Sequence, residues 1–272
     1  MKKRFKWIIA AILLAAFSTW LLWANKALEL NVLTVTESEL PDAFNGFRIV
    51  HISDLHSTEF GRNNQYLINM IRDAQPDIIC ITGDLSDSRD VNVDIALTFA
   101  RNAVQIAPCY YITGNHEARH PDTLYNDLLE GLEKAGVTLL NDQDVILNRD
   151  SAEIALAGHF WGDTDSVGSI SDFDGYRILL SHQPEDFDNY AAAGYDLVLS
   201  GHAHGGQFRL PFLGGVFAPG QGFFPQYDSG LYSSGSTDMI VSRGLGNSVF
   251  PLRVNNRPEV VLVVLKCLTP EH

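Results

Sequence analysis

Asp, Asn and His recur in this sequence where short apolar runs break off. The first such place is Ile52-Ser53-Asp54-Leu55-His56, the second Ile81-Thr82-Gly83-Asp84, and the third Ile112-Thr113-Gly114-Asn115-His116. Leu180-Ser181-His182 and Leu199-Ser200-Gly201-His202-Ala203-His204 follow. Neutral imidazoles together with carboxylates suit divalent transition ions. Asp54, His56, Asp84, Asn115, His182, His202 and His204 are too many for one tetrahedral ion and suit two ions that share a bridging carboxylate. In Asp-x-His or His-x-His on extended chain the outer residues lie on one face and can meet one small site. Two dications against two carboxylates leave a formal surplus of about +2, enough to hold a hydroxide and a phosphate together, and ions ~3.5–4 Å apart stabilise both oxygens of an in-line displacement.

The elements that must position these residues can be read around them. An apolar run ending in glycine, such as Ile78 to Gly83, reads as a buried parallel strand that turns out of its sheet. Ligands of open α/β sheets bind beyond the carboxyl ends of the strands. Before the first core strand, Phe47–Ile52, alternation over 30–35 suggests an edge strand. Helical patterns lie near 65–74, closed by Pro76, near 93–103, and over 124–135 with Gly136 as the stop. Tyr110–Ile112 is a further strand. Short strand-like runs then cluster at 137–140, 144–147 and 154–157, and buried-strand patterns return at 177–180, 197–199, 239–241 and 260–265. Strands that alternate with helices and then cluster predict an α/β protein with two sheets packed together and helices outside.

The 272 residues, 46% hydrophobic and 19% charged, suffice for one substantial core after a short appendage. A net charge of −14 and a pI of about 4.9 argue against general nucleic-acid binding. Cys80, Cys109 and Cys267 are far apart and form no C-x-x-C pair; Cys80 and Cys109 sit in apolar runs and are expected to be buried free thiols. Lys2, Lys3, Arg4 and Lys6 precede an uncharged apolar run, Trp7–Ala24, of about 18 residues, which is close to bilayer-spanning length. A signal-peptide core is usually shorter, ~7–15 residues, and no A-x-A cleavage site follows. Lys3-Arg4 falls short of a twin-arginine pair. The expected organisation is a single-pass anchor over 1–28 and a catalytic domain over 29–272, with Trp20 and Trp23 at the far interface and the domain on the non-cytoplasmic side.

The blocks Asp54-x-His56, Gly83-Asp84-x-x-Asp87, Gly114-Asn115-His116-Glu117, His182 and Gly201-His202-x-His204 resemble the calcineurin-like metallophosphoesterases in order and strand context, over roughly residues 47–265. The basic, apolar N-terminus and Ser242-Arg243-Gly244-Leu245-Gly246 resemble the membrane-associated bacterial branch. The resemblance implies a four-layer α/β/β/α sandwich of two mixed sheets. It implies that Asp54, His56, Asp84 and His204 hold one ion, and Asp84, Asn115, His182 and His202 the other, with Asp84 bridging. A hydroxide between the ions would attack phosphorus, His116 would stabilise the transition state or protonate the leaving oxygen, and Asp87 would orient His116. Protein phosphatases of the family carry Arg directly after that Asp; here it is Ser88, with Arg89 one further on, which argues against a protein substrate.

The expected activity is hydrolysis of a phosphate ester or pyrophosphate, in a lipid-linked or nucleotide-sugar-linked molecule. The alternatives are a phosphodiesterase for small soluble substrates and a scaffold of the same fold without catalysis. Mn, Fe, Zn and Ni all suit the donor set. The expected partners are the substrate and the membrane, with no obligate protein partner. Glu117 reads as a supporting or first-turn acid rather than a ligand, and Asp87 could also cap a helix. His51, His120 and His159 read as structural. Arg243 and Arg253 read either as phosphate or headgroup contacts or as surface pairs. The apolar stretch 207–232 reads either as a core cover or as a lipid-facing rim beside the site.

Overall fold

Period-two alternation decides the layers. In Ile78–Thr82, Ile78 and Cys80 face one core while Ile79 and Ile81 face another, and in Leu197–Ser200 the same split separates Leu197 and Leu199 from Val198. A computed structural model of the protein describes residues 2–89, 92–162, 167–247 and 250–268. Met1 of the expected anchor and 269–272 of the expected domain lie outside the described residues.

The first sheet is built from β1 (Glu29–Glu37), β2 (Arg48–Ile52), β3 (Ile78–Thr82), β4 (Cys109–Ile112) and β5 (Thr138–Leu139), with the late strand β16 (Glu259–Cys267) inserted between β1 and β2. The second sheet holds β6 (Gln143–Arg149), β7 (Ala152–Gly158), β8 (Arg177–Ser181) and β9 (Leu197–Ser200), then β15 (Thr237–Val241) and β14 (Gly230–Ser234). β2, β3 and β4 run parallel, as do β7, β8, β9 and β15, so their carboxyl ends open on one side of the molecule.

Helices α2 (Gln65–Asp73), α3 (Asp94–Ala103) and α4 (Asp122–Ala135) cover the outer face of the first sheet. The short helix α5 (Phe187–Ala192) covers the second through Phe187 and Tyr190. Between the sheets lie Ile49, Ile112, Ile154, Ile178, Leu180, Leu199 and Val263, all fully buried. Each such side chain contributes about 1.5–3 kcal/mol by leaving water. The result is the expected four-layer α/β/β/α sandwich. α4 ends as its sequence predicts, with Gly136 in the left-handed region at φ +97°.

Two details differ from the sequence reading. The stretch 207–232 carries two small ladders, β10 (Arg209–Leu210) with β11 (Gly214–Gly215) and β12 (Phe217–Ala218) with β13 (Gly222–Phe223). It covers core only in part: Ala218 is buried in the outer core of the second sheet and Tyr227 and Tyr232 pack against that core, whereas Phe212, Phe217, Phe223 and Phe224 are exposed. The six residues of α5 are also too few to show periodicity.

At the N-terminus, α1 (Lys2–Ala24) contains a span, Arg4–Ala24, that is long and apolar enough to cross a membrane, with mean hydropathy 2.0. Its end is tied to the domain. Asn25 exchanges hydrogen bonds with the Arg253 backbone (2.7 and 2.9 Å). The Arg257 guanidinium donates to the carbonyls of Ala27 (3.0 Å) and Leu28 (2.6 Å) and lies 5.2 Å from the Trp23 ring centroid.

Candidate metal centre

All seven sequence-predicted ligands leave the carboxyl ends of β2, β3, β4, β8 and β9 and meet in one buried cluster. Five of them adopt backbone angles that glycine normally supplies: Asp54 (φ +54°), His56 (+47°), Asp84 (+55°), His202 (+68°) and His204 (+49°). Side chains rarely occupy that region, and such strain gathers where function fixes the conformation. Main-chain bonds hold the turns: Asp54 N–H donates to Gly83 O (3.1 Å), and His56 N–H to Asp84 O (2.9 Å).

The donor atoms fall into two groups. Asp54, His56, Asp84 and His204 form one, and Asp84, His182 and His202 the other. In the first, His56 Nε2 lies 3.1 Å from His204 Nε2 and 3.5 Å from Asp84 Oδ2, and His204 Nε2 lies 3.3 Å from Asp54 Oδ1. In the second, His182 Nε2 lies 3.3 Å from Asp84 Oδ2, 3.2 Å from Asn115 Oδ1 and 3.2 Å from His202 Nδ1. Two ligands about 2.1 Å from one ion stand roughly 3.0 Å apart at a right angle and roughly 3.4 Å apart at the tetrahedral angle. The observed spacings are therefore those of neighbouring ligands around an ion.

Asp84 belongs to both groups. Its Oδ1 accepts the His116 amide (2.8 Å), while its Oδ2 is buried without a hydrogen-bond partner. A buried carboxylate oxygen left bare is costly unless a cation faces it. The His182 ring is oriented by Nδ1, which donates to Thr82 O (2.6 Å) and so aims the Nε2 lone pair at the cluster.

Electrostatics agree. Burial lowers His56 to about 4, His202 to about 3 and His204 well below the ordinary imidazole value, leaving neutral rings with free lone pairs. Burial would lower His182 too, yet Asp84 and Asp54 raise it to about 10. The same field that stabilises a proton there favours a metal cation. Burial raises Asp54 to about 6, whereas in Asp84 the pull of His182 and His56 overcomes burial and holds the carboxyl well below its usual range. The residues present fit a pair of divalent ions.

His116 stands at the edge of the cluster, its ring 4.4 Å from that of His56. Asp87 Oδ1 lies 3.3 Å from His116 Nδ1, but the Ser88 amide donates to that same nitrogen at 3.1 Å. Asp87 is also gripped by Arg89 through Nε (2.9 Å) and Nη2 (2.6 Å). The expected direct Asp87–His116 bond therefore competes with a main-chain donor.

Around the cluster, several residues take places that the sequence left open or gave only in outline. Glu117 is wholly buried and accepts the amides of Asp84 (2.9 Å), Ser86 (2.9 Å) and Gly114 (3.0 Å), clamping two ligand loops together. Its place two after Asn115 was the available signal. Burial and the Asp84 charge push Glu117 up to about 7 against the pull of these amides. Arg253 is neither a surface pair nor a headgroup contact: it is buried, donating to Arg243 O (2.7 Å) and Gly246 O, with Nη2 3.4 Å from His204 Nδ1. Arg243 is paired with Glu259 (3.1 Å) and Glu29 (3.0 Å). His51 bonds Thr82 Oγ1 (2.8 Å) and His120 meets Ser86 Oγ (2.7 Å), both as structural residues. The cleft above the cluster is walled by Arg119, Trp161, Gln183, Glu185, Phe217 and Pro219. Trp161 lies 4.9 Å from the His202 ring, and no periodicity in the sequence marks it.

The family profile of the calcineurin-like phosphoesterases matches residues 47–206, the stretch that carries all seven candidate ligands. The metallophosphoesterase YkuE of Bacillus subtilis is 32% identical over 246 residues, covering 86% of this chain and 84% of that protein. Phosphodiesterase YaeI of Escherichia coli is 31% identical, covering 80% and 82%. Among solved structures, TT1561 of Thermus thermophilus shares the fold with a TM-score of 0.50 at 12% identity, covering 74% of this chain and 90% of that one.

Proposed function

The chain belongs to the calcineurin-like phosphoesterase family and is a metal-dependent phosphoester hydrolase; from that premise we propose that it is a membrane-anchored, two-metal phosphodiesterase acting on a lipid-linked or nucleotide-sugar-linked phosphate ester or pyrophosphate. The observation that carries the two-metal reading is Asp84, whose unpartnered Oδ2 faces both donor groups. Asp54, His56, Asp84 and His204 would hold one ion, and Asp84, Asn115, His182 and His202 the other. Bound there, such ions polarise phosphoryl oxygens and make water a better nucleophile.

The protein's own groups do the rest. The Ser88 amide on His116 Nδ1 leaves the ring proton on Nε2, where His116 can donate a hydrogen bond to a phosphoryl or leaving oxygen as charge develops on it. Asp87 acts as a positioning residue: by accepting the Arg89 amide (2.9 Å) and guanidinium it fixes the turn that aims Ser88. Arg119, on the same 3-10 turn as Glu117, lines the cleft and offers a cation to a second anionic group of the substrate.

The anchor reading takes residues 1–28 as a single-pass span and 29–272 as the catalytic domain. Lys2, Lys3, Arg4 and Lys6 favour an inside N-terminus and a domain on the non-cytoplasmic side. A small soluble diester is the second reading, favoured by the polar wall of Arg119, Gln183 and Glu185.

The test is turnover of bis(p-nitrophenyl) phosphate and of membrane lipid extracts by full-length protein loaded with Mn or Zn. Asp84→Asn is expected to lower kcat/KM at least about 100-fold, since it loosens both ions at once. Near-normal turnover by that variant contradicts the bridging role.

A further inference from the structure

From Leu210 to Phe224 the chain carries no charged residue. The hairpins it forms do not bury their large side chains. Phe212 is fully exposed, and Leu213 (67%), Phe223 (75%) and Phe224 (61%) also face solvent. Phe212 and Phe224 also hold left-handed backbone angles, φ +70° and +54°. Bulky residues rarely adopt them, so the fold accepts strain at two positions while leaving both rings in the open. An exposed apolar surface of this extent marks an interaction site.

The patch is continuous with the end of α1. The Phe208 ring packs on that of Phe250 (5.2 Å), which is itself half exposed. Gln207 Nε2 donates to the carbonyls of Phe250 (2.8 Å) and Leu252 (2.7 Å). The next residue, Arg253, is bonded to Asn25, immediately beyond α1, and Arg257 stacks on Trp23. One short segment, 250–257, thus joins the aromatic hairpins to an apolar helix whose side chains are exposed over residues 4–20. The other edge of the patch, Phe217 to Gly220, lines the cleft over the metal centre.

We propose that the hairpin tips of 210–224, with Phe250, insert into the outer surface of the bilayer that α1 spans, so that the cleft opens at the headgroup level and receives substrates whose apolar part stays in the membrane. The inference rests on the membrane-anchored reading above and deepens it. A lipid surface is the occupant favoured here because the patch continues an apolar helix and carries no charge. With a net charge of −14, adsorption to anionic lipid has little electrostatic help, so apolar insertion is the means left.

The test uses full-length protein in phosphatidylcholine–phosphatidylglycerol vesicles, with nitroxide labels on Phe212→Cys, Phe223→Cys, Leu14→Cys in α1 and Tyr66→Cys on α2, each in a Cys267→Ser background. Cys80 and Cys109 are buried. Labels at 212 and 223 are expected to collide with oxygen in preference to a nickel chelate, at a depth of about 5–10 Å, while that at 66 stays in water. Rim labels in water overturn the proposal, whichever phase holds the label at 14. Spin–spin broadening between copies at 212 overturns it in favour of a dimer. The triple variant Phe212→Ser/Phe223→Ser/Phe224→Ser should lose at least about tenfold in turnover of a vesicle-embedded diester, with bis(p-nitrophenyl) phosphate hydrolysed as before; equal losses on both count against the proposal. No turnover of either diester by the unmutated protein would refute the function reading and leave the label depths to decide this one.

Discussion

Glu117→Gln isolates the clamp beneath the metal centre. In the native fold one carboxylate oxygen accepts the amides of Asp84 and Gly114, and the other accepts that of Ser86. Glutamine keeps the shape but only one acceptor. With its oxygen toward Asp84 and Gly114, its NH2 group faces the Ser86 N–H, leaving a buried donor unsatisfied at a cost of roughly 1–3 kcal/mol. The two remaining bonds also lose their charge assistance. Removing the repulsion between Glu117 and Asp84 returns part of this. The net expectation is a loss of about 2 kcal/mol, mostly from the unmade bond. The functional loss should exceed the stability loss, because the clamped loops carry Asp84 and Asn115, one ligand from each of two strands. Urea unfolding in detergent, metal content of the purified protein and kcat/KM on bis(p-nitrophenyl) phosphate together test this. Unfolding within about 0.5 kcal/mol of the native protein, the size of an ordinary surface substitution, combined with full metal content, would refute the clamp.

Gly201→Ala tests close approach at a ligand loop. A Cβ there collides with the Ser53 hydroxyl and stands 2.7 Å from Asp54 Oδ2. Overpacking should cost about 1–3 kcal/mol, and Ser53→Ala should restore part of it in a double-mutant cycle; no coupling between the two positions means that the steric account fails. Glu37→Gln tests a charge outside the candidate metal centre. Burial, Asp238 and Asp196 raise Glu37 to about 7. A carboxyl raised in the fold contributes stability that is fully present below the unfolded value near 4.5 and lost as pH rises through about 7. The melting temperature of the native protein should therefore fall relative to Glu37→Gln between pH 4.5 and about 8, and parallel curves would remove the basis for the effect.

The sequence was most legible where chemistry and periodicity coincide. Asp84, Asn115 and His202 each follow an apolar run, so both the strand and the ligand at its end could be read locally. The layered fold was read from strands that first alternate with helices and then cluster. The remainder depends on contacts between distant segments. Nothing near Glu117 announces that its carboxylate will span the amides of residues 84, 86 and 114. Arg253 looked like a surface residue because a buried guanidinium is rare, and only the fold brings carbonyls 243 and 246 to it. Asp87 was read as the residue that orients His116, and it does lie 3.3 Å from the ring nitrogen, but sequence spacing cannot show that the Ser88 amide reaches the same atom. The 209–224 hairpins were ambiguous for a simpler reason: apolar composition is the same whether a segment is buried by protein or held out toward something else.

The position of β16 has a consequence for how the protein is made. This valine-rich strand lies between β1 and β2, parallel to the first and antiparallel to the second. Until residues 259–267 emerge from the ribosome, the two earliest strands have no common neighbour, and an apolar slot beside β2 stays open. The first sheet therefore closes last on the side nearest the N-terminal helix, late in translation and through pairings of long sequence separation, which form slowly. Chains arrested at residue 258 should be cut by protease between residues 29 and 48, where the full chain resists. Such chains would carry the whole set of candidate metal-binding side chains yet lack the strand that zips the two ends of the molecule together.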